Sequence, residues 1–322
     1  MKTKIKLLYY KIKALLLYFD DFKRHIRYSL QYIDKNEYGR DSLRCEIMLL
    51  NHQLEKAQTY KNQKTGYGEE KINLLLTLMN RYVLRYGYDD LIYTSLGVLH
   101  SHFENTYSYK DDVCREAFNH FLSEADSRRQ VGLGGIILHD AIHASYTDEL
   151  YDLLASRKSC RQYSEDIVED SKIETAVKMA QLTPSACNRQ SIRVHYYKDK
   201  KTIENIILSQ KSDVDWCLNA KGLLIITSNE YYYRDYLERN QRMFDAGLFS
   251  MTLVLSLHSL GIGSCFKMIQ KETKIERETK AIGGIPAMED ICVLLLIGKY
   301  PKERFVVAKS SRLGLDSILL KH

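Results

Sequence analysis

Apolar residues in the first part of the chain recur every three or four positions. This spacing is clearest over Ile47–Ala57 and Ile72–Val83, and it predicts helices with one buried face. The chain has three prolines, and all of them lie after residue 183, so no proline interrupts helix formation before that point. Residues 1–130 are therefore predicted to form a mostly helical N-terminal region.

The pattern changes after residue 150, where short apolar runs replace the helical spacing. Ile192–Tyr197 is typical of a strand, and Gly222–Thr227 and Ile291–Ile297 are continuous apolar runs. Such runs indicate central strands that are buried on both faces. Residues 151–322 are therefore predicted to form a second domain around a sheet, and residues 131–150 to form a linker.

A long helix is predicted between the second and third of these strands. It runs from about Tyr236 to Leu260, and Gly261 closes it. Its second half is apolar nearly all round. A helix without a polar face is buried on every side, which in a domain of this size indicates a subunit interface.

Two short motifs in the linker region are assigned no function. Val131–Gly135 contains three glycines, but their spacing and surroundings do not match the dinucleotide-binding fingerprint. His139 and His143 are spaced as in zinc-binding helices, yet Asp140 replaces the catalytic glutamate and no third ligand is evident. No metal site is predicted.

The composition indicates a packed globular protein and limits the classes of partner that it is expected to bind. The 322 residues are 45% hydrophobic and 27% charged. The net charge of +6 suits an anionic cofactor or a membrane surface and does not call for a nucleic-acid partner. The seven cysteines are odd in number and form no Cys-x-x-Cys pair. A disulfide scaffold is therefore disfavoured, and the cytoplasm is the expected compartment.

Residues 1–19 combine lysines with apolar residues. Lys11 and Lys13 interrupt the apolar run, and no cleavage site of small residues follows, so neither a signal peptide nor a membrane-spanning helix is predicted. Two interpretations stay open. The segment is either a helix packed on its own domain or a basic amphipathic helix in peripheral contact with a membrane surface.

Four polar or glycine-rich segments follow one another in the second half of the chain. They are Ser156–Tyr163, Pro184–Gln190, Gly261–Cys265 and Lys309–Arg312. Their order resembles the nitroreductase family of FMN-dependent oxidoreductases over residues 150–322. The resemblance implies an α+β fold with a nitroreductase-like central β-sheet flanked by helices, in an intertwined homodimer. The N-terminal helical region is additional to that fold.

In that family the first and last segments hold the flavin phosphate. A phosphate dianion needs cations and donors in fixed directions. The residues of this chain that the resemblance assigns to it are Arg157, Lys158, Ser159, Arg161, Lys309 and Arg312. Two serines separate the two tail cations, where the family often has one residue, so the choice between Lys309 and Arg312 stays open. A solvated basic turn is the alternative for the first segment.

In the family a Pro-Ser-Ser-x-Asn-x-Gln loop lies against the flavin ring, partly from the other subunit. The resemblance therefore implies cofactor contacts from Pro184, Ser185, Ala186, Asn188 and Gln190. The family often continues with Pro-Trp, whereas this chain has Ser191 and Ile192. That departure puts the usual substrate pocket in doubt, and an ordinary polar loop is the alternative.

The glycine-rich segment follows the long helix and is the third expected contact with the cofactor. Gly261 and Gly263 let the backbone pass close to a ligand, and Ser264 lies beside them. In the family, backbone amides just beyond this turn approach the reactive ring nitrogen, which here places them around Met268 and Ile269. A simple helix stop is the alternative.

The resemblance implies hydride transfer from NADH or NADPH through FMN to a small-molecule substrate, with no catalytic side chain identified. The alternative is a scaffold subunit that keeps the fold without turnover and docks to a partner or membrane. His52, Glu55 and Lys56 lie in a segment similar to those preceding nitroreductase-like domains of surface-polysaccharide gene clusters. This similarity suggests a role in polysaccharide biosynthesis, and a surface pair on a packed helix is the alternative.

Overall fold

The computed structural model of the chain describes residues 2–30, 38–59, 68–105, 112–125, 133–137, 147–211, 215–234, 238–308 and 314–322. In chain order the described helices and strands are α1 Lys2–Leu30, α2 Arg40–Gln58, α3 Glu69–Tyr86, α4 Asp90–Asn105, α5 Asp112–Glu124, α6 Thr147–Ser156, α7 Asp170–Ala180, β1 Ile192–Tyr197, α8 Lys200–Ser209, β2 Gly222–Asn229, α9 Gln241–Ser259, β3 Ile262–Lys267, α10 Thr273–Gly283 and β4 Glu289–Lys299. Among these residues no helix has both the length and the apolar character needed to cross a membrane.

The chain forms two compact units that are interleaved along the sequence. Unit 1 consists of Met1–Ala144, Pro184–Ile192 and Ser228–Asp245. Unit 2 consists of Ser145–Thr183, Arg193–Thr227 and Ala246–His322. The sequence pattern divides the chain linearly at residues 130 and 150, whereas the first unit also takes in two segments from the C-terminal half.

Helices α2 to α5 build the core of unit 1. The spacing predicted a buried face on each of the first two, and the structure confirms it, since Ile47 and Leu54 of α2 and Ile72 and Met79 of α3 are fully buried. They join one continuous apolar cluster with α4 and α5. At its edge the Asp89 carboxylate accepts hydrogen bonds from the Arg44 guanidinium at 2.8 Å and the Tyr82 hydroxyl at 2.7 Å, so a polar side chain ties α2 and α3 to the start of α4.

Residues 133–137 pack against α2 and α4. The Glu55 carboxylate accepts from the backbone N–H of Gly135 at 3.0 Å, and the Ser101 hydroxyl accepts from that of Ile136 at 3.2 Å. A Cβ on Gly134 would lie 2.4 Å from the carbonyl oxygen of Thr94, so only glycine allows this approach. Glu55, which shares a helix face with His52, therefore has a structural partner within unit 1.

A buried ion pair holds the two later segments of unit 1 together. The guanidinium of Arg189, 2% exposed, donates to both carboxylate oxygens of Glu238, at 2.9 and 2.5 Å. Its Nε also donates to the carbonyl of Ala186 at 3.1 Å, and the guanidinium lies over the Tyr233 ring at 5.4 Å. Burial opposes ionisation of Glu238, but hydrogen bonds from Arg189 and from the Arg234 backbone lower its pKa.

The same two segments pack on helix α2. Short 3-10 turns at Ala186–Asn188 and Glu230–Tyr232 both contact it. The Cys45 thiol donates to the carbonyl of Tyr232, and the side-chain amide of Asn229 donates to the Asp41 carboxylate at 3.0 Å. Unit 1 is thus completed by chain that is far from α2 in sequence.

A four-stranded sheet of order β1-β2-β4-β3 is the centre of unit 2. The three predicted strands are confirmed as β1, β2 and β4. β3 pairs antiparallel with β4, with Ile262 opposite Lys299 and Lys267 opposite Leu294. Helices α8 and α10 cover one apolar face, where Ile206, Ile225 and Leu296 are fully buried. The α+β class predicted from the sequence is therefore confirmed.

Helix α9 begins later than predicted. It begins at Gln241 rather than near Tyr236, and Tyr236 itself lies outside the described residues. Leu248 and Met251 are 37% and 40% exposed in the single chain, so the predicted burial of this half in a subunit interface stays a prediction. Gly261 follows the helix with φ +79, the left-handed conformation that glycine adopts without strain, as predicted for a helix end.

Substitutions in the buried ion pair test its role in unit 1. Glu238→Gln leaves the buried guanidinium of Arg189 without a counter-charge, and the expected loss is about 3 kcal/mol of unfolding free energy. Urea unfolding measures it. Lys198→Met is the matched control, because Lys198 pairs with Asp170 at 2.7 Å while both side chains are more than half exposed, and such pairs contribute under about 1 kcal/mol. Equal losses in the two variants contradict the assignment.

The lowered pKa of Glu238 also predicts a pH dependence. A carboxylate whose folded-state pKa is depressed stabilises the fold above its ordinary pKa of 4.5, and the contribution is lost as pH falls through the lowered value. Below pH 4.5 the wild-type protein is therefore expected to lose stability more steeply than Glu238→Gln. Urea unfolding as a function of pH measures this difference, and parallel curves contradict the prediction.

Candidate cofactor site

The first cationic segment runs beside strand β3. Arg157 follows the last turn of α6, where its backbone N–H donates to the carbonyl of Leu153. Ser159 then forms a parallel bridge with Ser264, and the N–H of Cys160 donates to the carbonyl of Ser264 at 2.9 Å. The structure therefore brings together the predicted segments at 157–161 and 261–265.

The cations of this segment have no acidic partner among the described residues. Lys158 and Arg161 are exposed, and Arg157 is half-buried. None of the three forms an ion pair with a described carboxylate, and the Arg161 guanidinium lies over the Trp216 ring at 5.2 Å. Positive charge is thus concentrated in five residues without local compensation, as an anion-binding site requires.

His258 and Tyr300 both lie within the electrostatic influence of Arg157. Neither belongs to a sequence motif, and neither was predicted. The His258 ring is hydrogen-bonded through Nδ1 to the Tyr300 hydroxyl at 2.8 Å and through Nε2 to the Ser156 hydroxyl at 2.9 Å. Burial lowers the pKa of His258, and the charge of Arg157 adds to the effect. Both effects favour the neutral imidazole. Its position at the end of α9 offered no signal in sequence.

The glycine-rich segment forms strand β3 rather than the predicted turn. Gly263 and Ser264 are buried in it. A Cβ on Gly263 would lie 2.9 Å from both Cβ and Sγ of Cys160 and 3.0 Å from the Tyr300 ring. Side chains of the chain itself therefore pack closely on Gly263, and its contact with the cofactor stays a prediction. Met268 and Ile269 follow directly after the strand.

The proline-entered loop of unit 1 has a constrained backbone. Cys187, Asn188 and Gln190 adopt φ values of 49, 52 and 50, in the left-handed region that non-glycine residues seldom occupy. The Asp245 carboxylate accepts from the N–H of Ala186 at 3.2 Å. The Ser185 hydroxyl accepts from the N–H of Gln190 at 3.1 Å. Such a conformation persists only where its surroundings fix it, and here these bonds and the Arg189–Glu238 pair do so.

Side chains of this loop differ in what they can offer a ligand. Pro184, Asn188 and Gln190 are exposed, while Ser185 and Ala186 are half-buried. The Asn188 amide makes no hydrogen bond with any described residue. It is therefore a free donor and acceptor at the surface of the loop, which is what a polar ring edge needs.

The chain departs from the family pattern at Ser191, and the structure shows what this residue does. Ser191 is 1% exposed, and its hydroxyl lies 2.6 Å from that of Tyr233 and 3.0 Å from that of Ser228. Tyr233 in turn donates to the Asp245 carboxylate at 3.3 Å. A buried chain of hydroxyls therefore occupies this position and connects to the carboxylate that holds the loop.

The remaining predicted residues are not part of this geometry. Lys309 and Arg312 lie outside the described residues. The Pro184–Gln190 loop belongs to unit 1 and the Arg157–Arg161 segment to unit 2.

Comparison with known proteins relates the C-terminal part of the chain to nitroreductases. Residues 154–215 match the model of the Nitroreductase family. A protein of Archaeoglobus fulgidus named "Putative NADH dehydrogenase/NAD(P)H nitroreductase" is 25% identical over 162 residues, which cover 48% of this chain and 87% of that protein.

Two solved structures are also similar to about half of the chain. An FMN-dependent nitroreductase of Clostridium difficile has a TM-score of 0.46 at 20% identity, covering 53% of this chain and 99% of its own. A nitroreductase with bound FMN from Desulfitobacterium hafniense has a TM-score of 0.40 at 18% identity, covering 52% and 98%. The family match covers both the Arg157–Arg161 segment and the Pro184–Gln190 loop, and the resemblance of this part of the chain to the nitroreductase family is therefore confirmed.

Proposed function

We propose that this chain is an FMN-dependent oxidoreductase that takes hydride from NADH or NADPH and passes it to a small-molecule acceptor. The observation that carries the proposal is the uncompensated charge of Arg157, Lys158 and Arg161, within the part of the chain that matches the family. The name of the archaeal relative, an NAD(P)H nitroreductase, supports the same chemistry.

The donor set at 157–161 fits the phosphate of FMN. A phosphate ester is close to a dianion at neutral pH, and guanidinium groups bind its oxygens with directed, charge-assisted hydrogen bonds. Arg157 and Arg161 supply guanidinium groups, and Lys158 supplies an exposed ammonium group. The Ser159 hydroxyl is hydrogen-bonded to the Cys265 thiol. The three cations are therefore proposed to contribute most of the binding energy for the phosphate. Lys309 and Arg312 are proposed as further ligands on the family pattern.

The donor set of the Pro184–Gln190 loop fits the polar edge of a flavin ring. Asn188 offers a free amide, and the Ser185 hydroxyl keeps a proton to donate after accepting from Gln190. The backbone is held in one conformation by the Asp245 carboxylate, which reduces the ordering that binding requires. When bound, FMN supplies the hydride chemistry, and these residues hold and orient it.

We propose that the active form is a homodimer. Leu248 and Met251 of α9 are exposed apolar residues one turn apart on the same side of the helix, with half-buried Leu255 one turn further on. A monomer that exposes such a row in water gains from covering it. Sedimentation of the purified protein tests this, because a monomeric mass at micromolar concentration contradicts the proposal.

We further propose a cytoplasmic location and a substrate connected with surface polysaccharides. The cytoplasmic location is supported by the seven cysteines, none of which forms a disulfide in the described residues. The second is supported by the similarity of the His52–Lys56 segment to those that precede related domains. Assays with nucleotide-linked sugars as acceptors test it, and no turnover with any of them contradicts it.

A second candidate is a flavin-binding or scaffold subunit without turnover. The observation that favours it is Ser191, whose hydroxyl joins a buried cluster where the family often has Pro-Trp. A visible spectrum of the purified protein before and after anaerobic addition of NADH or NADPH separates the two. A bound flavin that bleaches supports the oxidoreductase, and a bound flavin that does not bleach supports the scaffold. A colourless protein that ignores added FMN contradicts both flavin proposals.

Removing the Arg157 guanidinium is expected to weaken FMN binding. Arg157→Ala loses one charge-assisted contact to the phosphate, which corresponds to roughly a tenfold to hundredfold increase in Kd. Flavin fluorescence titration measures it. Lys178→Ala on α7 is the control, because Lys178 is an exposed cation outside the segment. An unchanged Kd in Arg157→Ala shows that the phosphate is held elsewhere.

Removing the Asn188 amide tests the ring end of the site. Asn188→Ala deletes a surface amide without a partner among the described residues. Because alanine tolerates the left-handed φ of 52 less well than asparagine, the unfolding free energy is expected to fall by about 1 kcal/mol. The rate of flavin bleaching by NADH or NADPH is expected to fall about tenfold, because one orienting hydrogen bond is lost. Stopped-flow absorbance measures the rate. A normal rate places the ring away from this loop.

A further inference from the structure

Helix α1 exposes a continuous apolar face. The large side chains of this face recur every three or four residues, and each is between 49% and 68% exposed: Ile5, Leu8, Ile12, Leu15, Leu16, Phe19 and Phe22. A surface of this kind is unfavourable in water, and on a globular protein it marks a binding surface. The helix is 29 residues long, so the face extends over several turns.

Positive charge flanks this face on both sides. Before Asp20 the sequence has five lysines and no acidic residue. At about 100° per residue, Lys11 lies on one side of the apolar face, and Lys6 and Lys13 lie on the other. Long lysine side chains in such positions reach outward while their methylene groups cover apolar surface. The helix therefore matches a partner that is apolar inside and anionic at its boundary.

We propose that α1 docks this chain on the surface of a lipid bilayer that contains anionic phospholipid. The apolar face enters the boundary between headgroups and acyl chains, and the lysines contact the anionic headgroups. The complementarity of charge identifies the occupant, because five cations without an acid attract an anionic surface. This inference goes beyond the proposed oxidoreductase and does not depend on it.

A second copy of α1 fits these observations less well. Two helices side by side bring their lysines together, and no acidic residue before Asp20 is present to pair with them. Tyr18 is also exposed, at 72%, and at about 100° per residue it lies beside Lys11 at the edge of the face. A coiled-coil seam covers a narrow stripe and leaves this edge in water, whereas a bilayer boundary accommodates a tyrosine ring there.

Vesicle flotation of the full-length protein tests the proposal. The protein is expected to float with vesicles of phosphatidylglycerol and phosphatidylcholine, to float less as salt is raised, and to stay in solution with phosphatidylcholine alone. Lys6→Gln and Lys11→Gln are each expected to weaken binding roughly fivefold, the effect of one lysine near an anionic surface. Leu15→Glu is expected to weaken it by at least about tenfold, since a charge replaces a buried apolar side chain.

Leu84→Glu is the matched control, because Leu84 on α3 is an exposed leucine of the same unit at 78%. It is expected to float like wild type, and circular dichroism checks that all variants are folded. Three results overturn the proposal: no flotation of the wild-type protein, equal flotation of Leu15→Glu, or equal binding to phosphatidylcholine alone. A drop in solution mass in Leu15→Glu, without vesicle binding by wild type, assigns the face to a second copy instead.

Discussion

A buried guanidinium needs a counter-charge wherever the chain places it, and this requirement governs unit 1. Arg189 is 2% exposed and is matched by both oxygens of Glu238. Because these residues belong to different segments, the loop at 184–192 and the chain at 228–245 must be in place together. The left-handed backbone at Cys187, Asn188 and Gln190 depends on that arrangement, since each of these conformations is costly in isolation. The shape that the loop presents to a cofactor therefore rests on a charge pair at its back.

Much of the fold could be predicted from the sequence, because the spacing of apolar residues reports burial directly. It placed α2, α3 and the strands β1, β2 and β4 at the positions that the structure shows. It placed the start of α9 too early, since an apolar pattern does not show where hydrogen bonding begins. The interleaving of the two units could not be predicted, because the local spacing of apolar residues does not show which distant segments pack together.

The candidate site could be predicted only in part, since a motif does not show what a residue contacts. Two glycines near a helix end suggested a close backbone approach, but the sequence did not show that Cys160 and Tyr300 pack on Gly263. Ser191 was recognised as a departure from the family, but its place in a hydroxyl cluster with Tyr233 and Ser228 required coordinates. His258 was not predicted at all, because its lowered pKa results from burial and from the nearby charge of Arg157, and the sequence shows neither the burial nor the proximity.

The interleaving of the units has a consequence for biosynthesis. The ribosome makes the chain from the N-terminus, so helices α2 to α5 are made long before Tyr232 and Arg234. Both later residues contact α2: the Arg234 Nε lies 3.4 Å from the buried Glu46 carboxylate, and the Tyr232 carbonyl accepts a hydrogen bond from the Cys45 thiol. The surface of α2 that these residues cover stays uncovered until the last segment of unit 1, which ends at Asp245, has been translated. During that interval the nascent chain carries an uncovered patch, and chaperones recognise such surfaces. Completion of unit 1 is thus a late event of translation, although most of its residues are made first.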